Sequence, residues 1–408
     1  MAVLNKLFRR ARGMIDSGYI IVGGRETMGP GDLFTLLAEE ACHENRILFI
    51  MDAKQEEADR IACISRLGAH ITGGTGYIFS PDVGSRATFD AFDAFSACST
   101  PLEKASLLAD LLVLHSMDPK YRGDAATYFQ YVIEVKRTGR LKDILVVDPR
   151  SALAALPASD PAIGMKKIFI DTFRTRTYEN ILAAINILLH SPEADLMSGP
   201  LKLGNVFRPG NVIVVSDSAP VSGVTIKNGL FRSILLVLML GLRRYDVSDG
   251  VFLLRHADFI EPENLEALVN TAQAKNSLFV WMPENIAPIV HAGGGPILER
   301  VDFLSVFQAD KISAETWASM FGHRERIKIS TANTSPKSIF GSLGLGLGSI
   351  VTGGMSTRSS SWRGTRTVNT SKEDKQNVTA DQISTQRKGR TWCLYPDGSY
   401  SQEFLYRR

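Results

Sequence analysis

Cysteine is scarce: Cys42, Cys63, Cys98 and Cys393 are the four in 408 residues, far apart and without a C-x-x-C pair. That spacing suggests neither a disulfide framework nor a zinc knuckle, and it fits a reducing, cytoplasmic setting. Long hydrophobic runs are missing too. The most apolar stretch, Leu230 to Leu242, is interrupted by Arg232 and falls short of the ~20 residues a bilayer span needs, so it reads as a buried helix. No apolar segment follows the N-terminal basic residues before Gly18, which argues against a secretory signal. The seven histidines form no H-x-x-x-H or H-E-x-x-H pattern and no G-x-S-x-G occurs, so no metal site and no nucleophile elbow are expected.

What is present is a composition of soluble globular type, 44% hydrophobic and 22% charged, long enough for one large or two medium cores. The net charge of +3 is unevenly spread. Residues 1–13 carry Lys6, Arg9, Arg10 and Arg12 with no acid, and 355–408 hold ten basic and five acidic residues, leaving the middle at about −6. Basic ends of this kind are either solvated tails or contacts for nucleic acid or an anionic membrane surface.

Along the chain, short apolar runs alternate with helical patterns. Tyr19 to Val22, Ile47 to Met51 and Tyr77 to Phe79 read as strands, with a helix from Leu33 to Ala41, capped by Asp32, and another over Glu56 to Leu67. Residues 19–80 thus form a β-α-β-α-β unit with a mainly parallel sheet. Residues 81–165 read as a mostly helical insertion: Thr100-Pro101-Leu102-Glu103 is a capping box opening a helix to about Leu114, Ala125 to Lys136 is a second helix, and Ile144 to Val147 is a strand. From Tyr178 the alternation resumes. A helix to Leu189 precedes strand Val212 to Val215, helix Asn228 to Leu242, strand Val251 to Leu254, helix Glu263 to Ala274 and strand Leu278 to Trp281. Strand Phe303 to Phe307, helix Ala314 to Phe321 and strand Ile327 to Ile329 follow. Continuous apolar strands between amphipathic helices indicate α/β architecture with a sheet covered on both faces. Residues 331–377, rich in Ser, Thr and Gly, read as a flexible insert, and 378–408 as a C-terminal β-hairpin around Pro396-Asp397-Gly398. The divisions are therefore 1–80, 81–165, 166–330, 331–377 and 378–408.

The stretch Tyr19 to Asp32 is laid out as a phosphate-binding loop that has lost its chemistry. Against the spacing G-x-x-x-x-G-K-[ST], Gly24 and Gly29 fall on the glycines, Arg25, Glu26, Thr27 and Met28 fill the loop, Pro30 replaces the lysine and Gly31 the hydroxyl residue. Both side-chain contacts to phosphate and Mg²⁺ are thereby removed, and Pro30 deletes one N–H of the cradle. The bland alternative is an ordinary glycine turn between strand and helix.

The order of parts, with Asp52-Ala53-Lys54 ending the second strand, resembles the coupling ATPases of type IV secretion and conjugation, the TraG/TraD-like group. The resemblance implies a RecA-like P-loop NTPase fold with a helical insertion and a terminal hairpin. It matches Asp52 and Lys54 to that family's Asp-x-Lys strand end. The later strand that should end in Asp-Glu ends here in Arg255-His256, with Asp258 the nearest carboxylate if the register slips by three. Neither Arg255 nor neutral His256 can replace an oxygen ligand of Mg²⁺. Only 18 residues precede Tyr19, where the family carries a membrane anchor, so membrane contact is expected to be peripheral or through a partner at the cytoplasmic face of the inner membrane.

Three readings follow. The first is a catalytically degenerate subunit, a pseudo-ATPase with no catalytic residue and no cofactor, acting as a structural or adaptor component. Its implied partners are the proteins of a secretion-system coupling complex, including an active ATPase paralogue; the family's hexameric ring is left open for this chain. The second is a divergent active ATPase using Arg25 or Lys54 for the missing lysine and Thr27 for the hydroxyl, with ATP and Mg²⁺ as cofactors. The third is a nucleic-acid-binding module using the basic C-terminal segment with Trp362, Trp392, Tyr395 and Tyr400.

Overall fold

The computed structural model describes residues 18–52, 66–79, 100–136, 140–146, 157–161, 163–164, 176–216, 245, 247–256, 262–333, 366–395 and 398–404. Its centre is a nine-stranded sheet in the order β11-β10-β7-β1-β6-β5-β2-β4-β3. The strands are β1 (Tyr19–Gly23), β2 (Leu48–Asp52), β3 (Gly76–Phe79), β4 (Val212–Ser216), β5 (Val251–Arg255), β6 (Leu278–Met282), β7 (Phe303–Val306), β10 (Arg390–Leu394) and β11 (Tyr400–Phe404). Strands β1 to β7 are parallel; the hairpin β10–β11 joins β7 antiparallel. The sheet begun at Tyr19 is completed by the second half of the chain.

Because side chains alternate across a strand, an all-apolar strand fills two cores at once. Ile20, Val22, Leu48, Ile50, Val212, Val214, Leu253 and Val280 face one layer, packed under Leu33, Phe34, Leu37 and Ala41 of helix α1 (Pro30–His43). Tyr19, Ile21, Phe49, Met51, Ile213, Val215, Leu254 and Trp281 face the other. That second core runs on into a helical module: α2 (Pro101–His115), α3 (Arg122–Lys136), α4 (Leu141–Leu145) and α5 (Arg176–Leu189). The expected capping box at Thr100 is present, with reciprocal bonds to Glu103.

Four expectations are corrected. The strand expected at Ile144 to Val147 is not one over its described part: Leu141, Ile144 and Leu145 are buried at helical spacing and form α4, which Asp143 closes back on the Arg140 N–H at 2.8 Å, and Val147 lies outside the described residues. Asp32 does not cap α1, which begins two residues earlier at Pro30 with Gly29 as N-cap. The helix expected at Ala314 starts at Lys311, because Asp310 accepts from the Ile312 and Ser313 N–H groups; this helix, α7 (Lys311–Ser319), follows α6 (Pro262–Ala274) in the chain. The short strand at Ile327 to Ile329 is the middle of β8 (His323–Asn333), which pairs antiparallel with β9 (Arg366–Gln376) as a separate two-stranded ribbon. β9 lies within the stretch read as flexible. Helix α8 (Ala380–Ser384) leads from the ribbon to β10. The expected helices over Glu56 to Leu67 and Asn228 to Leu242 fall wholly or almost wholly outside the described residues. No helix among the described residues is long and apolar enough to cross a membrane.

Candidate functional site: a buried ion network at a phosphate-loop frame

β1 brings the chain to the carboxyl edge of the sheet, and the loop from Gly24 to Gly29 turns it into α1. Two glycines make this turn feasible. Gly24 sits at φ 116°, where a Cβ would lie 2.9 Å from the Phe307 carbonyl; Gly29 sits at φ 150°, where a Cβ would lie 2.2 Å from the Phe307 ring. Phe307, fully buried just beyond β7, is the floor of the loop.

Main-chain bonds fix the loop from two sides. The Arg25 N–H donates to the Gln308 carbonyl at 2.7 Å, and the Gly389 N–H donates to the Met28 carbonyl at 2.9 Å. Arg25 and Thr27 are exposed. Pro30 and Gly31 are buried in the first turn of α1, where the Gly31 carbonyl accepts from the Thr35 hydroxyl at 3.0 Å. Asp32 lies in the same turn, where its charge favours the positive end of the helix dipole.

Glu26 points the other way, into the protein. Its Oε1 accepts from Arg255 Nη2 at 2.6 Å. Arg255 ends β5 with its side chain wholly buried, and its Nη1 stands 3.3 Å from Asp52 Oδ2, paired as charges without hydrogen-bond alignment. The guanidinium also lies 4.2 Å from the Phe34 ring centroid, a cation–π contact made stronger by exclusion of water. His256 follows in the left-handed region at φ 50°. Its Nε2 lies 3.3 Å from Arg255 Nη2 and its Nδ1 3.5 Å from Glu284 Oε1. Nε2 also stands 3.8 Å from Glu26 Oε2, so the ring lies between two carboxylates beside the guanidinium.

Sheet order explains this convergence. β1, β6, β5 and β2 lie side by side, and Arg255 is the direct Cα partner of both Asp52 and Met282. Glu26, from the loop after β1, and Asp52, at the end of β2 three places along the sheet, therefore meet on one guanidinium. Of the residues the sequence singles out, the loop, Asp52, Arg255 and His256 come together; Lys54 and Asp258 lie outside the described residues. Phe34, Phe307 and Glu284 were missed. No spacing rule marks them, although Glu284 stands two residues after an all-apolar strand at the same sheet edge. Among the described residues, no group of three or more His, Cys, Asp or Glu is placed to hold a metal ion.

The fold is RecA-like: parallel sheet, glycine loop after β1, helical module and terminal hairpin. Solved structures with the same arrangement include a bacterial conjugative coupling protein, TrwBdeltaN70, in its unbound form, at 10% identity and TM-score 0.60, covering 99% of this chain and 91% of that one. VirB4 of Thermoanaerobacter pseudethanolicus is similar at 10% identity and TM-score 0.59, covering 96% and 90%. TrwB in complex with the non-hydrolysable GTP analogue GDPNP is similar at 10% identity and TM-score 0.56, covering 96% and 86%. No protein-family profile matches the sequence, and no curated protein sequence matches it either. At such identities the likeness is one of fold, and it extends over nearly the whole chain.

Proposed function

We propose that this chain is a catalytically silent, coupling-protein-like subunit of a type IV secretion or conjugative transfer machine, acting as an adaptor that recruits substrate rather than as a motor. The fold shared with TrwB and VirB4 supports the machine. The pairing of Glu26 with Arg255 at 2.6 Å, beside a loop that has Pro30 and Gly31 at the lysine and hydroxyl positions, supports the silence.

A nucleoside triphosphate with Mg²⁺ needs a cation and several N–H donors at the loop, and an oxygen ligand at the end of the neighbouring strand. The residues present do not fit that need. The loop holds a carboxylate, the strand end holds a guanidinium already paired with two acids, Pro30 has no N–H, and the Arg25 N–H is engaged by Gln308. Phosphate would meet Glu26 as a like charge. The ion network instead holds the loop to the ends of β5 and β2 through internal charge pairs.

The test is a melting curve with and without millimolar ATP and Mg²⁺, beside a steady-state phosphate-release assay. A ligand at a hundred times its Kd stabilises a fold by about 2.7 kcal/mol, which a melting curve resolves readily. No shift and no turnover are expected. Mg²⁺-dependent stabilisation, or turnover abolished by Lys54→Ala, overturns the proposal in favour of a divergent ATPase.

A further inference from the structure

At the far edge of the sheet from β3, the hairpin β10–β11 and the turn before it border an open cavity of about 670 Å³ lined by Arg387, Lys388, Arg390, Gln402, Glu403 and Phe404. Its charges are unbalanced. The three cations are exposed, and none is paired with a carboxylate among the described residues; Arg390 stands over the Phe404 ring at 5.8 Å. The one acid is already engaged: Glu403 Oε1 accepts from the Ser401 hydroxyl at 2.8 Å and from the Tyr395 hydroxyl at 3.3 Å.

The same place carries an open sheet edge. β11 is last in the strand order, and among the described residues no further strand pairs its outer side. Which of its groups point outward follows from the hairpin register. The Tyr395 N–H donates to the Ser399 carbonyl at 2.9 Å, so Tyr395 and Ser399 form a hydrogen-bonded pair. In an antiparallel ladder such pairs alternate, which makes Cys393 with Ser401 and Thr391 with Glu403 the next two. Tyr400, Gln402 and Phe404 therefore turn their N–H and C=O groups away from β10. Gln402 and Phe404 also line the cationic cavity.

We propose that this edge is a docking site for an acidic, extended peptide segment of a partner protein, which adds to β11 as a further strand and sets its carboxylates against Arg387, Lys388 and Arg390. Strand addition draws affinity from main-chain bonds and specificity from the side-chain pockets beside them, and this edge offers both within one cavity. A nucleic acid would answer the charge but could not continue the ladder. The proposal gives the adaptor reading a recruitment surface, yet it does not depend on the glycine loop: a chain that hydrolysed ATP could carry it equally.

The experiment uses the full chain and a fluorescein-labelled peptide of alternating glutamate and valine, read by anisotropy. Three controls accompany it: the lysine–valine counterpart, the acidic peptide with alternate amides N-methylated, and a single-stranded oligonucleotide. The acidic peptide is expected to bind at least tenfold more tightly than the lysine and N-methylated peptides. The triple variant Arg387→Ser, Lys388→Ser, Arg390→Ser should lose that advantage while keeping its melting temperature, since all three residues are exposed. The single variant Arg390→Glu should shift preference toward the lysine peptide. No binding of the acidic peptide, equal binding of its N-methylated form, or an oligonucleotide bound more tightly and lost in the triple variant, each overturns the proposal. Because no arm contains ATP or Mg²⁺, these outcomes are independent of the phosphate-release assay.

Discussion

Arg255 brings a full positive charge into a place water does not reach, and the protein keeps it there by surrounding it with Glu26, Asp52 and the face of Phe34. Stripping a partner from a buried ion is costly, because the remaining charge is neither solvated nor neutralised. Asp52→Ala should therefore destabilise the fold by about 3–5 kcal/mol, measured by urea unfolding. Replacing the whole set by Arg255→Met, Asp52→Leu and Glu26→Gln should recover most of that loss, since a well-packed apolar substitute for an ion pair is often neutral or better. If the triple variant is as unstable as Asp52→Ala, the network is more than a self-contained ion cluster. Two thiols in the core between α1 and the sheet, Cys42 on the helix and Cys393 on β10, give a second prediction at this scale. Burial pushes Cys393 up to about 12 and Cys42 up to about 11, from an ordinary value of 9.0. The folded chain then holds these protons more tightly than the unfolded chain, so stability falls as pH rises from about 9 toward 12. Chemical denaturation at pH 8 and pH 10.5 should show the decline, and Cys42→Ala with Cys393→Ala should lessen it.

At the scale of the element, helix α7 depends on Asp310, whose carboxylate takes the Ile312 and Ser313 N–H groups and is held below the usual carboxylate range chiefly by the Ser313 hydroxyl and then by its N–H. Asp310→Ala should cost about 0.5–2 kcal/mol in thermal unfolding. The sign with pH follows from the lowered value: the cap's contribution is present above the ordinary carboxylate range and is lost as acidification protonates Asp310. Elements also show where local pattern reading succeeds. β1, β2, β5 and β6 are legible because a strand buried on both faces must be apolar throughout. Ile144 and Leu145, from the run read as a strand, carry the same apolar signature but belong to α4, since what decides is the spacing of Leu141 with Ile144 and Leu145 against the helical module. β9, with the sequence RTVNTSKEDKQ, has neither apolar alternation nor a turn signal at its ends; its partner β8 defines it.

For the whole molecule, architecture was readable and the site only in part. Alternating strands and helices announce a parallel α/β sheet, and the two glycines announce a loop at its carboxyl edge. The spacing of Gly24 to Gly31 also showed which groups that loop lacks. It did not show that Glu26 is spoken for, because its partner Arg255 lies 229 positions further on and no local pattern links them. Sites made by a folded sheet from distant strand ends share this opacity, and only topology brings them into view.

The placement of β1 has a consequence for biosynthesis. It is the first described strand to leave the ribosome, yet its neighbours on either side, β6 and β7, are encoded by residues 278–306. Its apolar surface must wait, unmatched, while most of the polypeptide is made, and long-range pairing of this sort is slow and prone to aggregation. Nascent chains halted before residue 278 should thus require a chaperone to stay in solution, whereas those extended past residue 306 can close the centre of the sheet by themselves.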